Sequence, residues 1–313
     1  MAILATMCAL PVLWLYGPSG VGKSTTAREL ITRLWRDGVR AAYVDIDQIG
    51  MHYGPPTPEK WAPEPADDYG RHRLKTLNLD AVVANARDAG AACLVVGGIV
   101  DPSHGIDRGL LPNVDLSPIR LRADEDELRQ RLDLRGRPGE PLDEILSDAA
   151  SLERLTDDVV DTTRLGVDEV VERILKLIGG WPPDRTYASE SASVEGEASA
   201  TRVPGTMHWI CGPREDGKSM VAWQVYRELR LSGTRAAYLD LEQVAILAPP
   251  HVADPGNRRL MAANLAAIWR TFRDHGAESL VVAAPDDNPA AARSACAAAL
   301  PDVTLVFRCM HGR

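Results

Sequence analysis

Lysine is scarce in this chain. Five are present, Lys23, Lys60, Lys75, Lys176 and Lys218, and the net charge is −9. No basic run exists that could neutralise a phosphate backbone, so nucleic acid is not expected as a partner. No apolar run reaches the roughly 18 residues that a membrane span needs, so no membrane is expected either. The leading stretch MAILATMCALPVLWLYG has no basic n-region and runs straight into a glycine-rich loop. It reads as a core strand rather than a signal peptide, and a cytoplasmic location is expected. The five cysteines show no C-x-x-C spacing, which fits reduced cytosolic thiols. The seven histidines are equally scattered, which argues against a structural metal site.

What the chain does have is a pattern written twice. WLYGPSGVGKST (14–25) returns as WICGPREDGKSM (209–220) at an offset of 195, so two of the five lysines fall at matching places. GVRAAYVDIDQI (38–49) returns as GTRAAYLDLEQV (233–244), and NLDAVVANARDAGAACLVV (78–96) as NLAAIWRTFRDHGAESLVV (264–282), the last at an offset of 186. Matched order, spacing and residue type point to two tandem copies of one unit. The stretch 180–205, rich in Ser, Ala, Glu and Pro, reads as a flexible linker. The expected domains are therefore 1–179, the linker 180–205, and 206–313. Within the first copy, buried apolar runs alternate with helical segments. This predicts a parallel sheet with helices on both faces. Asp124, with Glu127 three residues on, marks a helix start before ELRQRLDLRG.

The loop Gly17-Pro18-Ser19-Gly20-Val21-Gly22-Lys23-Ser24-Thr25 follows a strand and opens a helix, the context a phosphate-binding loop requires. Its glycines let backbone N–H groups turn inward around an anion, and the helix start adds its positive end. Lys23 places a point charge on the outer phosphates, and the Ser24 hydroxyl suits Mg²⁺. Asp45 and Asp47 close the next strand. Alternate strand residues share a face, so the two carboxylates are expected side by side, one for the Mg²⁺ shell and one for an acceptor proton. Arg131 and Arg135, four apart on a helix, can stack on a base and neutralise transferring oxygens.

Together these segments resemble the P-loop small-molecule kinases, the nucleoside-monophosphate kinase-like group that includes shikimate, gluconate and adenylylsulfate kinases and chloramphenicol phosphotransferase. The resemblance covers most of residues 11–178 and implies the P-loop NTPase α/β fold, ATP and Mg²⁺. YVDIDQI is similar to the D-x-D of shikimate kinase, which implies magnesium at Asp45 and the substrate hydroxyl at Asp47. RQRLDLR looks like the lid helix of that group, which implies adenine and phosphate contacts for Arg131 and Arg135. Arg71 or Arg73 would hold an anionic substrate. The duplicated layout also looks like actinobacterial proteins called AAA family ATPases.

The second copy retains Gly212, Gly217, Lys218 and Ser219, but its loop interior is Pro213-Arg214-Glu215-Asp216, and Asp47 is replaced by Glu242. Arg120 aligns with Arg308, five residues before Arg313, so the second copy is expected to be truncated, without lid, last strand or closing helix. The expected activity is phosphoryl transfer from ATP to a small-molecule acceptor in the first copy. The second copy is expected to be regulatory or structural, with pairing of the two copies within the chain. The alternative left open is a nucleotide-binding regulator or slow NTPase without a small acceptor. The sequence chooses neither ATP over GTP nor the acceptor.

Overall fold

The computed structural model describes residues 9–53, 69–135, 142–183, 202–212, 217–285 and 289–309. Most of the linker, the loop preceding residue 69, the lid segment 136–141, Pro213–Asp216 and the side chains of Arg71 and Arg135 lie outside the described residues.

The apolar run Leu10–Tyr16 is strand β1, all seven residues buried. Helix α1 (Lys23–Arg36) follows and buries Thr26, Ala27, Leu30, Ile31 and Leu34, one stripe at helical spacing. Gly38, at φ 77°, ends its last turn. Then come β2 (Ala41–Asp45), β3 (His52–Tyr53), α2 (Tyr69–Asp88), β4 (Cys93–Gly97) and β5 (Val114–Arg122). Helices α3 (Glu125–Arg135) and α4 (Leu142–Leu152), strand β6 (Asp158–Asp161) and helix α5 (Val167–Leu177) complete the first half. The Asp124 carboxylate accepts from the Glu127 amide at 2.8 Å, the expected N-cap of α3. The second half runs β7 (Gly205–Cys211), α6 (Lys218–Leu231), β8 (Ala236–Asp240), β9 (Ile246–Ala248), α7 (Arg258–Asp274), β10 (Ser279–Ala283), α8 (Pro289–Ala299) and β11 (Val303–Cys309).

Two compact units result. The first contains residues 1–46, 90–190 and 247–249; the second contains 47–89, 191–246 and 250–313. These units do not follow the stretches 1–179 and 206–313: β3 and α2 group with the second unit and β9 with the first. The first unit's sheet runs β6-β5-β1-β4-β2-β9, with β1, β2, β4, β5 and β6 parallel. Strand β1 lies between β4 and β5, so its carboxyl end is the switch point where ligands of open α/β sheets bind. Helix α5 packs on α1, with Arg33 Nη2 donating to Asp168 at 2.6 Å. The parallel sheet between helices is the expected fold class.

The second unit's sheet runs β11-β7-β10-β8-β3, parallel except for the two-residue antiparallel pairing of β3 on β8. Helix α2 packs on α7, where Asn85 Nδ2 donates to Asn264 Oδ1 at 2.8 Å. Two buried asparagines repeat one arrangement: Asn78 donates to the Ile49 carbonyl and Asn264 to the Val244 carbonyl, each at 2.6 Å. Cys93 and Cys296 are buried free thiols. Cys211, opposite Cys309 in the β7–β11 register, is disulfide-bonded, so the expectation of reduced thiols is not met there.

Candidate functional site

The loop after β1 has the backbone its sequence predicts. Gly17, Gly20 and Gly22 have φ of 149°, 85° and 101°, all in the region that L side chains rarely adopt. A Cβ on Gly17 would come within 2.3 Å of the Leu121 carbonyl oxygen, so the close approach of β5 also demands glycine there. Lys23 Nζ donates to the Pro18 carbonyl at 2.8 Å, which folds the lysine back across its own loop. Helix α3 adjoins this loop: a Cβ on Gly20 would lie 3.3 Å from Leu132 and 3.6 Å from Leu128. At the base of the loop, Tyr16 donates its hydroxyl to Asp157 at 2.8 Å, and burial pushes its phenol well up. Arg108 lies 3.3 Å from the other oxygen of Asp157.

Arg131 is placed against the loop. Its Nη1 donates to the Val21 carbonyl and to Thr162 Oγ1, both at 3.1 Å. Its Nη2 donates to the Thr162 carbonyl at 2.8 Å, and its Nε to Glu127 at 2.8 Å. The expected adenine and phosphate contacts therefore compete with four protein acceptors. Thr162, 1% exposed, also places its hydroxyl 3.3 Å from the Val21 carbonyl. Sequence reasoning missed Thr162 and Glu127 as members of this cluster. A backbone carbonyl has no residue-type signature, so nothing in the sequence announces that it needs a donor.

Asp45 ends β2, and the chain then turns into a 3-10 segment, Ile46–Ile49. The expected side-by-side placement of Asp45 and Asp47 on one strand face is thereby corrected, because strand alternation stops at Asp45. Asp47 belongs to the second unit and pairs with Lys75 at 2.6 Å; the lysine side chain is 4% exposed and the aspartate 43%. Lys75 was also missed. Its rarity in an arginine-rich chain was the available signal. Arg73 is exposed on α2.

The second loop is arranged differently. Gly212 and Gly217 keep φ of 149° and 78°, but Lys218 is 1% exposed and its Nζ lies 3.6 Å from Glu242. Ser219 Oγ donates to Asp240 at 3.4 Å, and the Glu242 amide donates to Asp240 at 3.0 Å. Burial, reinforced by the Glu242 charge, raises the Asp240 carboxyl above its ordinary range. Under the offset of 186, the position of Lys75 is taken by Met261.

The Ser24 hydroxyl and the Asp45 carboxylate are hard oxygen donors of the kind that Mg²⁺ takes. Among the described residues no group of three or more His, Cys, Asp or Glu could hold a metal, so substrate phosphates and water would supply the other ligands. No helix among the described residues is long and apolar enough to cross a membrane.

No family model matches the chain, and no curated protein matches it. Among solved structures it is similar to P-loop small-molecule kinases. A sugar kinase from Janibacter is 20% identical over 56% of this chain and 96% of its own, with a TM-score of 0.38. A gluconokinase from Sinorhizobium meliloti is 18% identical over 55% and 93%, TM-score 0.37. The Acinetobacter baumannii shikimate kinase in complex with shikimate is 21% identical over 54% and 93%, TM-score 0.35.

Proposed function

We propose that the first unit binds MgATP on Gly17–Thr25 and transfers its terminal phosphoryl group to a small-molecule hydroxyl. The observation that carries this reading is the loop itself: three glycines at positive φ, Lys23 folded over its mouth, and a helix opening beneath it. Backbone amides and the helix start would cradle the phosphates. Lys23 would leave the Pro18 carbonyl for the outer phosphates and offset charge that builds up in transfer. Ser24 and Asp45 would hold Mg²⁺, which would supply charge neutralisation of the bridging oxygens when bound. Asp47, Arg71 and Arg73, expected from the sequence to meet the acceptor, fall in the second unit, so the reading for the first unit rests on Gly17–Thr25 and Asp45 alone. The chain would then be two copies of one unit with different duties, the second loop closed by its own Glu242.

The Asp47–Lys75 ion pair favours a second reading, a nucleotide-binding regulator or slow NTPase, because a paired carboxylate is a weaker proton acceptor. Turnover of MgATP with and without a library of small hydroxylated metabolites separates the two. The kinase reading expects stimulation; turnover that no metabolite alters supports the second. In either case Lys23→Ala should lower MgATP turnover by roughly 10²-fold or more, whereas Lys218→Met should leave it within about twofold. Equal losses from the two substitutions would overturn the assignment of the site to the first loop.

A further inference from the structure

We infer that Arg131 is a positioning residue that aims the Gly22 amide into the phosphate loop, acting through the Val21–Gly22 peptide plane. The inference rests on the nucleotide-binding reading of Gly17–Thr25 and adds to it a mechanism for keeping the loop in shape.

The argument starts from peptide geometry. A trans peptide is planar, and its C=O and N–H point in opposite directions. Fixing the Val21 oxygen therefore fixes the direction of the Gly22 hydrogen. Arg131 Nη1 donates to that oxygen at 3.1 Å, and the Thr162 hydroxyl lies 3.3 Å from it. The oxygen is thus held towards α3 and the turn after β6, and the Gly22 N–H points the other way. Gly22 needs such a tether, because at φ 101° without a Cβ its own backbone preferences are weak.

The guanidinium is itself held in place. Glu127, four residues earlier on α3, takes Nε at 2.8 Å, and the Thr162 carbonyl takes Nη2 at 2.8 Å. Three of the four contacts go to Glu127 and to the hydroxyl and carbonyl of Thr162, and the fourth to the Val21 carbonyl of the loop. A planar fork tied at three edges presents its remaining edge in one direction only. A lysine could satisfy one of these acceptors but not all of them. The cluster also links the loop to the turn between β6 and α5, so a substitution at Thr162 should be felt at Gly22.

The test compares Arg131→Met, Arg131→Lys and Thr162→Val with the wild-type full chain. Isothermal titration is run with magnesium tripolyphosphate, which has no base, and with MgATP. The Gly22 amide resonance is followed by ¹H–¹⁵N spectroscopy without ligand. Arg131→Met should weaken tripolyphosphate and MgATP by the same factor, roughly tenfold or more, as loss of a charged hydrogen bond implies. Thr162→Val should weaken both by a few fold, and Arg131→Lys should fall between wild type and Arg131→Met. The Gly22 resonance should move in each variant before any ligand is added. A loss confined to MgATP, with tripolyphosphate unchanged, would mean that Arg131 meets the base and would overturn the inference. So would an unmoved Gly22 resonance. Failure of the wild-type chain to bind either ligand would instead remove the nucleotide reading, while the ligand-free spectra would still report whether Arg131 braces the peptide.

Discussion

Replacing Glu242 by Gln should destabilise the second unit more than replacing Lys218 by Met. Lys218 is 1% exposed, and its Nζ stands 3.6 Å from the carboxylate, whereas the Glu242 side chain keeps a quarter of its surface in water. At an effective dielectric of about 20, two unit charges at that separation attract by roughly 4–5 kcal/mol. Glu242→Gln removes that attraction and leaves the ammonium buried. Breaking a buried pair from one side costs about 3–5 kcal/mol. Asp240, whose charge also acts on Lys218, retains part of the compensation, so about 2–3 kcal/mol is expected. Lys218→Met keeps a buried stem of similar length, and Glu242, a quarter exposed, can hydrate; about 1 kcal/mol is expected. The double variant should lie near the Lys218→Met value, giving a coupling of about 2 kcal/mol. Hydrogen exchange at β7 and β8 amides reads the stability of this unit locally. There the single Glu242→Gln change should lose roughly 30- to 150-fold protection. If Glu242→Gln costs no more than Lys218→Met, the carboxylate does not compensate the buried lysine, and the reason for calling the second loop closed disappears.

Burial lowers His52 and His208 below their ordinary value of 6.5. The unfolded chain therefore takes up these protons first, and stability present above about pH 6.5 should fall as pH drops through the lower folded values; urea melts at pH 7.5 and 5.5 check this, and a variant with Asn at both positions should show a shallower decline. A fragment ending at residue 183 separates β3 and α2 from β8 and α7, so its α2 amides should exchange far faster than those of α1, whereas equal protection in both helices would contradict the grouping of residues 47–89 with the second unit.

The strands and helices were legible because their burial leaves a period in the sequence. Leu10–Tyr16 is apolar throughout, α1 carries a stripe at 26, 27, 30, 31 and 34, and Asp124 caps α3 where the capping pattern placed it. The glycine positions of the loop were legible for a similar reason, since positive φ restricts residue type. The grouping of α2 with α7 was not. Periodicity says which face of a helix is apolar, not which helix covers it. Strands of two and three residues, β3 and β9, are too short to leave any period, so their places in the two sheets had no sequence signal. The 3-10 turn after Asp45 likewise broke an alternation that YVDID alone would have continued.

The two loops differ in where a nearby carboxylate finds its cation. Asp47 and Glu242 occupy matching positions at the offset of 195, each two residues beyond a strand-ending aspartate. A carboxylate near an anion-binding lysine competes with phosphate for it, because both are oxygen anions seeking the same ammonium. Asp47 pairs within its own unit with Lys75, which reaches it at 2.6 Å from a buried position on α2. Lys23 donates to the neutral Pro18 carbonyl at 2.8 Å. At the matching position of the second half stands Met261, which has no charge to offer. Glu242, one methylene longer than Asp47, instead pairs with Lys218. The lysine is then both neutralised and buried, and a triphosphate would have to displace an anion already in place. The two loops thus share glycines at positive φ and a helix that opens at the lysine, and they differ in the partner the lysine takes.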